Sequence, residues 1–463
     1  MSARGSNASA SLMGIYMQGS FADSTCYNTI FHLINGNGGA SNGQALIGMS
    51  INPNNTGGLG NAIEGNHIYS LVQNFSSGGG NVTGIHAGIN MNVRKNLVHN
   101  LYTTSTSGFS TITGILMSSN TGGLQNNMIS LGSDSLGNSM TAGGIRIIGI
   151  NGADNLRHNS VYIEGNNVAD GILGSTCFSN TINFSSSYNN IFFNARSNSG
   201  ATGKNYAVKI NGTTPNPTGL TINNNIYFAN GGGAVFGFFN SLDVANIADW
   251  RTAVGQDVGS FEANPQYNDP TNATPDLHIH PSNATAAEGN GANVGVTDDF
   301  DGQTRASLTP VDIGADAGNF NGIDLAAPDI TYTAFINTSL TSNRVLSVTI
   351  TDVTGVATGG VAPRIYFSKN GGSFFSTAAT LFSGTVMNGV WNATIDYSLV
   401  GGVVATDVIR YFVVAQDVLG NLASNPSGGF AGTNVNTVTT PPTTPNQYTI
   451  VASFAGSINV GST

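Results

Sequence analysis

Apolar residues along this chain fall in short alternating runs, and the runs return about every thirty residues. Each return is marked by an asparagine: Asn66-His67-Ile68-Tyr69, Asn96-Leu97-Val98-His99, Asn127-Met128-Ile129-Ser130, Asn159-Ser160-Val161-Tyr162, Asn190-Ile191-Phe192-Phe193 and Asn225-Ile226-Tyr227-Phe228. The steps between these asparagines are 30, 31, 32, 31 and 35 residues. A fixed period of this size predicts a solenoid, in which each repeat buries its apolar face only against its neighbours.

Alignment on the asparagine exposes columns. Three residues before it stand Ile63, Val93, Leu124, Leu156, Ser187 and Ile222, and two after it Ile68, Val98, Ile129, Val161, Phe192 and Tyr227. Both columns read as inward, so the asparagine between them is expected inside at a turn. There each amide would stack on the next as a ladder, and the neighbouring coils would satisfy it. Two before the asparagine stand Glu64, Arg94, Gln125, Arg157, Tyr188 and Asn223, a polar outward column in which Glu64 and Arg94 face across one coil. A second strand lies about a dozen residues upstream, marked by Gly84, Gly114 and Gly144. Two strands and a Gly/Ser/Asn-rich connection leave no room for a ten-residue helix, which favours a parallel β-helix over a leucine-rich repeat. Cys26 and Cys177, about five coils apart, are expected as free thiols.

Composition narrows the function classes. Only 8% of the 463 residues are charged and 62 are glycine, which suits many strands and tight turns. No apolar run reaches the roughly 18 residues of a membrane-spanning helix. A net charge of −10 argues against nucleic-acid binding, which needs cations for phosphates.

The columns, with the run Ala248-Asp249-Trp250, Gly255-Gln256-Asp257, Ser260-Phe261, Asn264-Pro265, Asp276-Leu277-His278-Ile279, Asp299-Phe300-Asp301-Gly302-Gln303-Thr304-Arg305 and Asp312-Ile313-Gly314-Ala315-Asp316, resemble the right-handed parallel β-helix domains of secreted proteins from Bacteroidetes-type bacteria. The resemblance covers residues 12 to 320 and implies that this run lays the last coils and a C-terminal cap. That family includes polysaccharide lyases and adhesins. Past Pro328 the pattern changes to dense strands, such as residues 408–417, similar to immunoglobulin-like or fibronectin-type modules. Trp391 and Tyr411 are its expected core aromatics. The fold expected is thus all-β: a right-handed parallel β-helix over residues 1–323, an Ig-like β-sandwich over 324–438, and a Pro-rich linker opening a further module over 439–463. At about ten coils, the rod would be roughly 50 Å long.

Candidate chemistry is sparse. Glu64, Asp134, Asp154, Glu164 and Asp170 fall at different phases of the repeat, so no carboxylate column for a lyase emerges. Arg94, Lys95, Arg157 and His158 share columns and form a candidate cationic stripe for an acidic glycan. Tyr69, His99 and Tyr162 form a candidate outward strip for sugars. His67, His86 and His99 read as scattered, and His278 with His280 supply only two imidazoles on one strand. Asp299, Asp301, Asp312 and Asp316 are candidates for one structural Ca²⁺ or for pairing with Arg305. Gly57-Gly58-Leu59-Gly60 reads as a turn, since no Lys-Ser/Thr follows it.

These features point to a secreted or cell-surface module, rigid and adhesin-like, whose partners are neighbouring modules of one longer polypeptide. The alternatives are carbohydrate binding without catalysis, or a polysaccharide lyase or hydrolase. No cofactor beyond structural calcium is expected.

Overall fold

The computed structural model describes residues 2–3, 11–18, 24–36, 44–52, 61–74, 80–105, 110–118, 122–152, 155–169, 173–180, 185–200, 202–308, 311–324 and 326–453. The sequence features at Gly57–Gly60, Asp154, Asp170 and Gly456–Gly461 lie outside them. The chain forms two compact units, Met1–Ile323 and Asp324–Thr463.

The first unit is a parallel β-solenoid whose coils each lay one strand in three sheets. The first sheet runs through Leu12–Gln18, Gln44–Asn52, Gly80–Ala87, Ser110–Met117, Ile145–Asn151, Ser175–Asn180, Asn205–Ile210 and Ala234–Phe239. The second takes short strands such as Met91–Arg94 and Asn155–Arg157, and the third those that follow each asparagine, such as Leu97–Thr103 and Ser160–Ile163. The second sheet has seven strands, so its outer two lie about 29 Å apart at 4.8 Å per coil. The described solenoid is therefore shorter than the ten coils expected. The rest of that length went into a covering segment and a terminal helix.

The corner between the second and third sheets explains the asparagine. The residue before it takes a left-handed backbone: φ is 56° at Lys95, 54° at Asn126, 55° at His158, 58° at Asn189 and 54° at Asn224. That turn aims the following side chain inward, where all six asparagines are buried. Asn96 Nδ2 donates to Asn127 Oδ1 at 2.9 Å, Asn127 to Asn159 at 2.9 Å and Asn159 to Asn190 at 2.9 Å. Each Nδ2 also donates to a carbonyl one coil back, as Asn127 does to Val93 O at 2.8 Å. The ladder has one rung more than the repeat shows: Asn28 Nδ2 donates to Asn66 Oδ1 at 3.0 Å.

The glycine column needs correction. Thr113 pairs with Ile148 and Ile115 with Ile150, which places Gly149, not Gly144, beside Gly114. A Cβ at Gly149 would sit 2.4 Å from Val161 Cγ1, so the column stays small where the first sheet presses on the third. Ile68, Val98, Ile129, Val161 and Phe192 fill the interior from the third sheet. Cys26 and Cys177 are free.

The stack ends under the helix Ile247–Val254, capped by Asn246 Oδ1 accepting from Asp249 N at 2.9 Å. Its Trp250 is buried against Tyr227, Phe236 and Phe239. Asp257 Oδ2 accepts from Trp250 Nε1 and from the Tyr227 hydroxyl, both at 2.8 Å. The ladder terminates there: Asn225 N donates to Ser260 Oγ at 2.8 Å, and that hydroxyl donates to Asp257.

Phe261–Glu262 adds a last parallel rung to the third sheet, and the residues beyond it do not continue the coil. They fold back along the outer face of the third sheet, where Tyr267, Leu277, Ile279, Ile313 and Ala315 share one buried cluster with Met128, Tyr162, Ile191 and Ile226. Ala315 N donates to Ser160 Oγ at 3.0 Å, and Asn126 Nδ2 donates to Asp298 O at 2.8 Å. The run expected as last coils and cap is therefore coil and cap as far as Glu262, and a cover thereafter.

In the second unit, Arg344–Thr351 and Asn388–Ile395 centre one antiparallel sheet, and Arg364–Lys369 and Val408–Gln416 centre another. Trp391, Tyr411, Phe367 and Tyr448 are buried in their shared core. Asn446–Thr449 pairs with Val408–Gln416, so this stretch completes the same unit where a linker and new module were expected.

Candidate functional site

The first sheet turns a run of polar side chains outward. Register aligns Ile148 with Thr176 and Tyr206, and Asn151 with Ser179 and Lys209. Arg146 stands two positions earlier in its strand, and Gly174 and Lys204 stand immediately before theirs. Together they line an open groove of about 430 Å³ across three coils. Strand alternation makes this face, because Ile145, Ile147 and Ile150 point into the core between the outward positions.

Two of the groove's cations are already placed by neighbours. The Lys204 ammonium pairs with Asp243, which also accepts from the Tyr206 hydroxyl at 2.9 Å. Lys209 Nζ lies 4.9 Å from the Tyr206 ring centre and 4.5 Å from that of Phe238, a cation–π contact on both sides. Burial lowers the Lys209 pKa, the Arg146 charge lowers it further, and Asp243 opposes both. Two cations in mutual repulsion, beside hydroxyls and an aromatic floor, favour an anion that also carries hydroxyl groups. No catalytic pair is formed by these residues.

The stripe predicted from Arg94, Lys95, Arg157 and His158 is occupied by the chain itself. Arg94 pairs with Glu64 at 2.8 Å, as its column implied, and Lys95 with Asp298 at 2.5 Å. Arg157 donates to Val294 O in the covering segment. His158 is buried, with Asn189 Nδ2 2.9 Å from its Nε2. Its pKa is pushed well down, by burial first and then by the Arg305 charge.

The strip of Tyr69, His99 and Tyr162 is not an open surface either. Tyr69 is half-buried, while His99 is 1% and Tyr162 5% exposed. Tyr162 lies under the cover beside Tyr267, with ring centres 6.3 Å apart. His67 and His99 are not scattered: their Nε2 atoms face at 2.7 Å on adjacent coils. Burial lowers the His99 pKa to about 4, so this pair is neutral at neutral pH.

The four aspartates read as one calcium site do not close on one point: Asp301 and Asp316 approach each other beside His278, while Asp299 and Asp312 are held by backbone amides. Asp299 Oδ1 accepts from Gln303 N at 2.7 Å, and Asp312 accepts from Gly289 N and Gly318 N, both at 3.0 Å. Asp316 Oδ2 accepts from Ile279 N at 2.8 Å, and Asp301 faces His278. Arg305 is buried and donates to Asn126 Oδ1 and the carbonyls of Asp298, Gly314 and Ala315, so it pins the cover rather than pairing with a carboxylate.

A second cavity, about 380 Å³, is lined by Tyr162, Glu164, Ser139, Asn166 and Thr271. Burial pushes the Glu164 carboxyl up to about 7. Glu164 is the one carboxylate among the described residues lining it, short of the pair that glycoside hydrolysis uses.

Sequence reasoning missed the groove because its columns are not in register with the ladder. Arg146, Gly174 and Lys204 stand 13, 16 and 21 residues before Asn159, Asn190 and Asn225. Connections that lengthen from coil to coil hide an aligned surface from any reading anchored on the asparagine. Searches against models of protein families and against curated proteins match nothing to this chain.

Proposed function

We propose that this protein is a non-catalytic module of a secreted or cell-surface protein, whose solenoid holds an acidic polysaccharide or cell-surface glycan along its first sheet. The observation that supports it is the groove: in a chain with net charge −10 and 14 Lys and Arg in all, Arg146, Lys204 and Lys209 line one cavity beside Tyr206, Thr176 and Ser179. The antiparallel second unit suits an immunoglobulin-like spacer.

A glycan array run with lyase and hydrolase assays tests this. Binding of uronate-bearing or sulfated glycans, weakened by salt as exposed charges are screened, is the expected result. Arg146→Ala and Lys209→Ala each reduce affinity about tenfold, close to 1.4 kcal/mol. Turnover would make the protein an enzyme, and silence across anionic glycans at low salt would remove the glycan reading. A purely structural rod is then the reading left, favoured by the ladder that stiffens the stack.

A further inference from the structure

We propose that His278, Asp301 and Asp316 bind a divalent transition-metal ion that staples the covering segment together over the third sheet. One ligand atom from each of the three lies within 4.8 Å of the others. Two bonds of about 2.1 Å to a shared ion span at most about 4.2 Å, so the three ligand atoms are within a few tenths of an ångström of what a common ion needs. His278 Nε2 is 2.9 Å from Asp301 Oδ2, near the edge length of such a coordination shell.

The arrangement around these ligands is that of a prepared site. His278 Nδ1 lies 2.5 Å from Asp276 Oδ1, and donation there orients the ring so that Nε2, which faces Asp301, is the nitrogen whose proton an incoming ion displaces. Asp316 is buried and held in place by the Ile279 amide, and the Phe300 ring packs edge-on against the imidazole at 5.9 Å. Asp301 is exposed, which leaves a side open for water or an exchanging ligand.

Charge supports the ion. Asp276, Asp299, Asp301 and Asp316 gather on this side of the cover, and the hydrogen bonds of Arg305 described above go to carbonyls and one amide. The donor set chooses the class: an imidazole nitrogen with two carboxylates suits zinc or manganese, whereas calcium prefers oxygen alone. The three ligands come from separate stretches, the strand Asp276–Ile279, the turn at Asp301 and the residue after Ala315. Leu277, Ile279 and Ala315 are themselves seated on the third sheet, so the ion would lock the layer that covers it.

Titration calorimetry of the chelator-treated full chain with Zn²⁺, together with thermal unfolding, tests the site. One saturable ion and a higher Tm are expected. Asp301→Ala, at an exposed position that leaves folding intact, weakens binding at least tenfold. Asp276→Asn weakens it about ten- to a hundredfold by loosening the imidazole. His67→Ala, at the other histidine pair, leaves binding unchanged. No saturable binding, binding unaltered in Asp301→Ala and His278→Ala, or Ca²⁺ held as tightly as Zn²⁺ would each overturn the proposal.

Discussion

The first and third sheets belong to the same coils and meet the same interior, yet their outer faces have opposite fates. The third sheet turns Met128, Tyr162, Ile191, Phe193 and Ile226 outward, and the chain buries them under its own residues 267–315. The first turns out Arg146, Thr176, Ser179, Tyr206 and Lys209, and leaves them as an open groove. A solenoid strand has one face committed to the interior; the other is free to carry either adhesion to self or recognition of something else. Outward composition, not the coil, decides which.

Breaking the element common to both faces gives the largest effect. Asn127→Leu removes an amide that joins Asn96, Asn159 and Val93 O, and leaves several buried polar groups without partners, each costing about 1–3 kcal/mol. Chemical denaturation should show a loss of at least ~3 kcal/mol, with groove and cover lost together. Arg305→Met separates the faces. It strips five acceptors of their donor, should cost about 2–4 kcal/mol, and should raise binding of a hydrophobic dye while anionic glycan binding at the groove persists.

Glu164 sharpens the contrast by pH. Its folded-state pKa of about 7 lies above the ordinary 4.5, so the folded chain holds a proton that the unfolded chain releases between those values. Stability contributed by this group is present below pH 4.5 and is lost as the pH rises through 7. Glu164→Gln should flatten that part of the stability–pH curve and gain about 1–3 kcal/mol at pH 8, read from denaturation midpoints at several pH values.

The interior was the legible part of the molecule. The inward columns, the asparagine ladder and the Glu64–Arg94 pair follow from a thirty-residue period, because stacking forces like onto like at each inward position. The outer surfaces were legible only in part. Apolar residues at both one and three positions after the asparagine, as in Asn190-Ile191-Phe192-Phe193, mark a strand buried on both faces, and that signal was present for the cover. Reading Tyr162 as outward and exposed overlooked it. His67 and His99 looked scattered because their contact joins different positions of neighbouring repeats. The His278 cluster joins residues 23 and 15 apart in a segment without any period, where spacing carries no geometry.

The way the ladder stops has a consequence for assembly. An exposed strand edge that ended on an unsatisfied asparagine would be a template onto which a second molecule could add its own rung. Here the final amide is answered by a serine whose proton is claimed by a carboxylate, and an indole is laid across the opening. At the ladder, that end of the stack offers no open rung for a second molecule to extend.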